Sequence, residues 1–193
     1  MDTDILGTDR EGFPTSDLRP LISPNYRELN QRLHLEVDSY GARGYRYLEE
    51  IRGLCERYGA RSVLDYGCGK GALAEVWDVP GVELVSWDPC CPPFDTVVPV
   101  PCDLVWCSDV LEHVEPEMVG AALDDLRRLT LKAGRFVIST RLDPDKTLPD
   151  GSNPHRSVHP LEWWHRKLKR RFKVVEAKRR KYHAGFLVES SAQ

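Results

Sequence analysis

The 193-residue chain has no long hydrophobic run. No stretch approaches the roughly 20 apolar residues that cross a bilayer. Its opening, Met1-Asp2-Thr3-Asp4, lacks the basic-then-apolar pattern of an export signal. A cytoplasmic protein without a membrane partner is therefore expected. The six cysteines include no C-x-x-C spacing, which argues against a zinc cluster and for reduced thiols used as small core residues. Neither sign of charge is in large excess. A net charge of −3 predicts no general affinity for nucleic acid. The length suits one folded domain with a full core.

The most informative run that is present is Val63-Leu64-Asp65-Tyr66-Gly67-Cys68-Gly69-Lys70-Gly71. Apolar residues, an acid and three alternate glycines predict a buried strand ending in a tight turn, with a helix starting near Lys70. Glycine allows positive φ and lets a ligand approach bare backbone. A helix N-terminus adds unpaired N–H groups. The expected site is nucleotide-like, at the carboxyl end of a strand. The dinucleotide fingerprint G-x-G-x-x-G fits poorly, because the third glycine comes one residue early. The strand predicted at 83–87 closes on Asp88, about twenty residues after the turn, where an acid accepts hydrogen bonds from a ribose diol.

Along the rest of the chain, residues 1–23 read as an extended or flexible arm. Residues 24–193 read as one domain, with N-terminal helices in 24–58 and a core in 60–193. Helices are expected over 25–38 and 44–58, the latter ended by Gly59. From Asp88 to Cys102 there are five prolines, too many for a helix interior. A loop is expected there, with a short extended piece at Thr96–Val98. Strand 103–107 and helix 117–130 follow, with Met118, Ala121, Ala122, Leu126 and Leu129 facing the core. Strand 135–140, a long loop over 141–158 and helix 160–170 come next, then strands 172–178 and 184–189 as an antiparallel hairpin at the sheet edge.

Directly after strand 103–107 stands Ser108-Asp109-Val110-Leu111-Glu112-His113, at the edge where the ligand crevice lies. In a helical turn Asp109, Glu112 and His113 would share one face. Such a set suits Mg²⁺ or Mn²⁺. The downstream loop adds His155 and His159 before Trp163 and Trp164. Either histidine could complete a metal site or act as a general base. Of the two tryptophans, one is expected in the core with the other covering it, or stacked on substrate. Residues 166–181 hold ten Lys and Arg against Glu176 alone, which reads as a solvated helix face and edge strand or as a phosphate footprint.

Asp65–Gly71, Asp88 and Asp109–Val114 together resemble the class I S-adenosylmethionine (SAM) methyltransferases, whose glycine motif is D-x-G-x-G-x-G. The resemblance covers residues 60–190. It implies an α/β, Rossmann-like sheet, mostly parallel with a C-terminal antiparallel hairpin, in which the Pro-rich loop replaces one helix–strand unit. It implies SAM as cofactor, with Asp65, Gly67, Cys68, Gly69, Asp88, Ser108 and Asp109 as contact candidates, the acid near the turn taking SAM's ammonium group and turn N–H groups its carboxylate. The chain is also similar to ubiquinone-pathway O-methyltransferases and small-RNA 2′-O-methyltransferases. That similarity implies Asp109, Glu112, His113 and His159 as metal ligands. His113, His155 and His159 are the catalytic candidates, and they favour an oxygen acceptor. The expected reaction is O-methylation of a small-molecule or glycan-like acceptor. RNA ribose methylation through the basic stretch and non-catalytic SAM binding are the rival readings.

Overall fold

The computed structural model describes residues 20–191. Six strands form one sheet: β1 (Ser62–Tyr66), β2 (Glu83–Trp87), β3 (Cys102–Ser108), β4 (Thr130–Ser139), β5 (Phe172–Arg179) and β6 (His183–Ser190). Their order is β2-β1-β3-β4-β6-β5. The pairs β1–β2, β1–β3 and β3–β4 are parallel. Strand β6 is antiparallel to both neighbours. This is the expected mostly parallel α/β sheet with a C-terminal hairpin. Each strand alternates its side chains between two faces. Val63, Leu104 and Trp106 face a core shared with Ile51 and Cys55 of α2 (Leu48–Tyr58). Leu64, Val105 and Cys107 face the other core, filled by Leu123, Leu126 and Leu129 of α3 (Val119–Leu129) and Trp164 of α4 (Leu161–Leu168). Trp164 is fully buried and Trp163 packs against it. All six cysteines are buried free thiols.

The glycine turn departs from expectation. No α-helix follows it; residues 72–82 form turns and one 3-10 turn at Ala74–Val76. Gly71 has φ 75° and cannot open a regular helix, while Pro80 stops one soon after. Too few residues remain between them for a stable helix. In the Pro-rich segment a 3-10 turn at Phe94–Thr96 takes the start of the expected extended piece, Val97 is extended, and no helix–strand unit forms there. Residues 116–118 are turn, so α3 begins later than expected. Val119 and Leu123 are buried on its core face, whereas Met118 and Ala121 are half-buried.

The expected arm falls mostly on residues 1–19, outside the described residues. Its end is docked: the Ser23 amide and hydroxyl donate to the Glu115 carboxylate at 2.8 and 2.7 Å. The Ser23 side chain also caps α1 (Pro24–Glu36), accepting the Tyr26 N–H at 3.2 Å. Tyr26 and Leu33 of α1 bury against Leu148 of the 141–158 loop in a small cluster apart from the sheet cores. The Tyr26 hydroxyl donates to the Pro154 carbonyl at 2.6 Å. Helix α1 and this loop thus form a roof over the carboxyl edge of the sheet. Among the described residues, no helix is long and apolar enough to cross a membrane.

Candidate functional site

Under that roof is a cavity of about 460 Å³. All seven cofactor candidates, Asp65, Gly67, Cys68, Gly69, Asp88, Ser108 and Asp109, line it, as do His113 and His155. His159 does not. It stacks on Trp163, ring centroids 3.7 Å apart and 13° from parallel, beside a separate depression.

The glycine turn is bonded within the protein. The Gly67 and Cys68 N–H groups donate to the Trp87 carbonyl at 2.8 and 3.0 Å. Gly69 N–H donates to Asp88 Oδ2 at 2.9 Å. Lys70 N–H reaches the Gly41 carbonyl at 2.9 Å, and Gly71 N–H the Cys68 carbonyl at 3.1 Å. The expected supply of free turn N–H groups for a carboxylate is therefore spent. Segment 37–41 is seated on the turn, with Lys70 Nζ donating to the Val37 and Asp38 carbonyls at 3.2 Å. At Gly69 (φ 55°) a Cβ would run into the Gly41 backbone. This close approach is why glycine stands there.

Asp65 and Asp88 differ. Asp88 accepts the Gly69 and Cys90 N–H groups on its two oxygens and still borders the cavity. Asp65 is buried, and its Oδ2 has no partner among the described residues. Burial, then the nearby Asp88 charge, pushes its carboxyl up to about 7. A buried carboxylate oxygen aimed at a cavity and lacking a donor fits a cationic ligand group.

At the other end, Asp109 has φ 56°, a strained position for a non-glycine residue. That backbone interrupts the helical turn expected over 109–113 at its first residue, and Asp109 does not join Glu112 and His113, whose donor atoms lie within 4.8 Å of each other. The Asp109 carboxylate accepts the Tyr47 and Ser108 hydroxyls, both at 3.2 Å, and lies 3.5 Å from His183 Nε2. Burial opposes its ionisation, yet these hydrogen bonds and the His183 charge hold it below the usual carboxylate range. Glu112 is fully buried beneath the cavity and accepts the Ser139 N–H at 2.9 Å. Burial, then the Asp109 charge, raises its carboxyl to about 8.

The two cavity histidines are oriented by acceptors. Asn30 donates through Nδ2 to the Tyr26 carbonyl, leaving its Oδ1 to accept the Tyr40 hydroxyl at 3.1 Å. The Tyr40 hydroxyl lies 3.3 Å from His113 Nδ1, and the His113 ring also bonds the Pro154 carbonyl. Burial, reinforced by His155, drives the His113 pKa down to about 3. His155 Nδ1 lies 2.7 Å from the Arg141 carbonyl, so its proton sits on Nδ1 and Nε2 keeps a lone pair. That Nε2 is 3.9 Å from Asp143 Oδ2. The His113 and His155 rings meet edge-on at 4.7 Å.

The metal set implied by resemblance is not assembled. Glu112, His113 and His155 bring donor atoms within 4.8 Å of one another, but Asp109 is held by Tyr47, Ser108 and His183, and His159 is stacked on Trp163. The structure also adds residues with no signal in the chain's motifs. Tyr40, Gly41, Arg43, Arg46 and Tyr47 line the cavity from the N-terminal segment. Only their abundance of Arg and Tyr just before a helix hinted at a role.

The methyltransferase domain family model matches residues 25–181. The fold is similar to the Burkholderia thailandensis 1,6-didemethyltoxoflavin-N1-methyltransferase, solved with 1,6-didemethyltoxoflavin and S-adenosylhomocysteine. That likeness has a TM-score of 0.62 and 17% identity, covering 90% of this chain and 93% of that one. It is also similar to a SAM-dependent methyltransferase from Aquifex aeolicus, with a TM-score of 0.57 and 12% identity over 82% and 98% of the two chains. No curated protein matches the chain in sequence. The chain belongs to the methyltransferase domain family.

Proposed function

We propose that this methyltransferase-family chain, a SAM-dependent enzyme, methylates a hydroxyl oxygen of a small molecule, with His155 as the base. The observation that carries the reading is the His155 imidazole. It lines the cavity, is oriented through Nδ1 by the Arg141 carbonyl, and keeps Nε2 free to take a proton. His113 is a poorer base, because a group with a pKa near 3 holds a proton weakly. His159 lies outside the cavity.

SAM supplies a sulfonium-activated methyl group. Asp65 is the residue to hold its ammonium group, since its buried Oδ2 lacks a donor. Asp88 is the residue for the ribose diol. With the turn N–H groups occupied, Arg43 and Arg46 are the cations lining the cavity near the turn that suit the carboxylate. The acceptor hydroxyl is then held at the His155 end, where proximity to the methyl group supplies much of the acceleration. His155 Nε2 takes the hydroxyl proton, and the imidazolium formed stands opposite the Asp143 carboxylate. Of the donors implied for Mg²⁺ or Mn²⁺, Glu112 and His113 converge with His155, whereas Asp109 and His159 do not join them, and no step is routed through a metal.

A methyl-donor assay against a panel of hydroxylated and amino acceptors, read by mass of the product, tests this. Methylation at oxygen supports the reading, and methylation confined to nitrogen overturns it. Tight SAM binding with no turnover across the panel would favour a non-catalytic binding protein.

A further inference from the structure

The three residues linking β5 to β6 are Arg180, Lys181 and Tyr182. Hairpin links of this length favour Gly, Asn or Asp, which ease the turn. Here the link follows Lys178 and Arg179, so four cations are consecutive. Its location is specific. Ser139, the last residue of β4, pairs with His183, and Arg179 pairs with Ala184. The link therefore projects from the carboxyl edge of the sheet, the edge that bears the cavity.

The charge there is unbalanced. Within the basic stretch, Arg171, Lys173, Lys178 and Arg179 are paired with Asp124, Glu189, Glu176 and Glu162. Among the described residues, no carboxylate pairs with Arg180 or Lys181. The Arg141 guanidinium lies 3.8 Å from the centre of the Tyr182 ring, and Lys181 Nζ lies 4.9 Å from it. One ring thus gathers two cations beside a third. Arg180 and Lys181 also border a second depression, of about 250 Å³, together with His159.

We propose that this tip is the anion subsite of the acceptor. On this view the acceptor of the O-methylation proposed above is a small molecule bearing a phosphate or carboxylate group. Arg141 connects the two places. Its carbonyl orients His155, and its guanidinium stacks on Tyr182. The base and the subsite are therefore one arginine side chain apart, a span that a compact acceptor covers. A like-charge cluster with no internal counter-ion is costly until an anion enters it. Grouped cations suit the several oxygens of such a group.

The test titrates inorganic phosphate and, separately, acetate into the full chain saturated with S-adenosylhomocysteine, read by calorimetry. Saturable binding of either anion is expected. The two titrations distinguish a phosphate-bearing from a carboxylate-bearing acceptor. The double variant Arg180→Ala/Lys181→Ala should weaken that binding by about tenfold or more. A control, Lys169→Ala/Arg170→Ala, removes two exposed cations of the same stretch that border neither depression, and should change it by less than about twofold. Equal losses in both variants, or no saturable binding, would overturn the proposal in favour of diffuse surface charge. An RNA oligonucleotide that binds far more tightly than phosphate, with steep salt dependence, would overturn it in favour of a polymer. S-adenosylhomocysteine affinity is measured in parallel. Its absence in the wild type counts against the methyltransferase reading, while its retention isolates the failure to the anion subsite.

Discussion

The two ends of the cavity are built in different ways. At the donor end, Asp65, the glycine turn and Asp88 come from two adjacent strand ends and bond to each other through the backbone. Every N–H from Gly67 to Gly71 is spent inside the protein. At the acceptor end, Tyr40 and His113 come from separate segments and Asp143 and His155 from the two ends of the 141–158 loop, each placed by one or two side-chain contacts. That end depends on how α1 and the 141–158 loop dock through Tyr26, Leu33 and Leu148. A small cluster apart from the main cores opens at lower free energy than they do. The donor end is therefore preset, while the acceptor end is set by the roof.

Substitutions should separate the two ends. His155→Ala is expected to have the largest effect, lowering kcat by about 10²–10⁴-fold, the range for loss of a general base. SAM affinity should stay near wild type. A parallel fall in SAM affinity would mean that the two ends are one unit. Asp65→Asn should do the reverse, weakening SAM binding by about 10–100-fold through loss of a charge-assisted contact. Because burial holds the Asp65 carboxyl near 7, wild-type affinity should fall as pH drops below 7 and the acid takes a proton. The Asn variant should lose this dependence. Calorimetry across pH reads both effects.

Smaller effects sharpen the contrast. Gly69→Ala forces a Cβ toward the Gly41 backbone at positive φ, and should cost about 1–3 kcal/mol of stability, read from denaturant unfolding. Glu112→Gln keeps an acceptor for the Ser139 N–H and removes an ionisation. Glu112 has a folded pKa of about 8, raised from 4.5. Its stabilising contribution is therefore full below pH 4.5 and is lost as pH rises through 8. The Gln variant should gain in Tm on the wild type at pH 8 and above, and converge with it near pH 5. The smallest expected effect is none at all. Chelation by EDTA should leave SAM affinity and turnover unchanged, and a loss of either would restore a metal to Glu112, His113 and His155.

The donor end was legible in the chain because its parts are contiguous. A strand, an acid and a glycine turn occupy nine residues, and the second acid closes the next strand. The alternating sheet, the edge hairpin and the proline-rich replacement of a helix–strand unit were legible for the same reason: period and breakers are local signals. The helix expected after the glycine turn failed because positive φ at Gly71 and the nearby Pro80 leave too few residues for it. Asp109–His113 was legible only in part: Glu112 and His113 do converge, but the left-handed backbone at Asp109 sets that acid apart from them. His155 and His159 could not be told apart by spacing. The first turns into the cavity to meet the Arg141 carbonyl, and the second turns onto Trp163.

By itself, then, the sequence determined the sheet, the donor turn and the acids that face it, because hydrogen bonds and side-chain periodicity within short segments specify them. Only the tertiary structure decided that His155 and not His159 reaches the cavity, that the turn N–H groups are already spent, chiefly on Trp87, Asp88 and Gly41, and that three cations meet at the same edge. Those outcomes rest on contacts between segments far apart in the chain, and no local pattern carries their geometry.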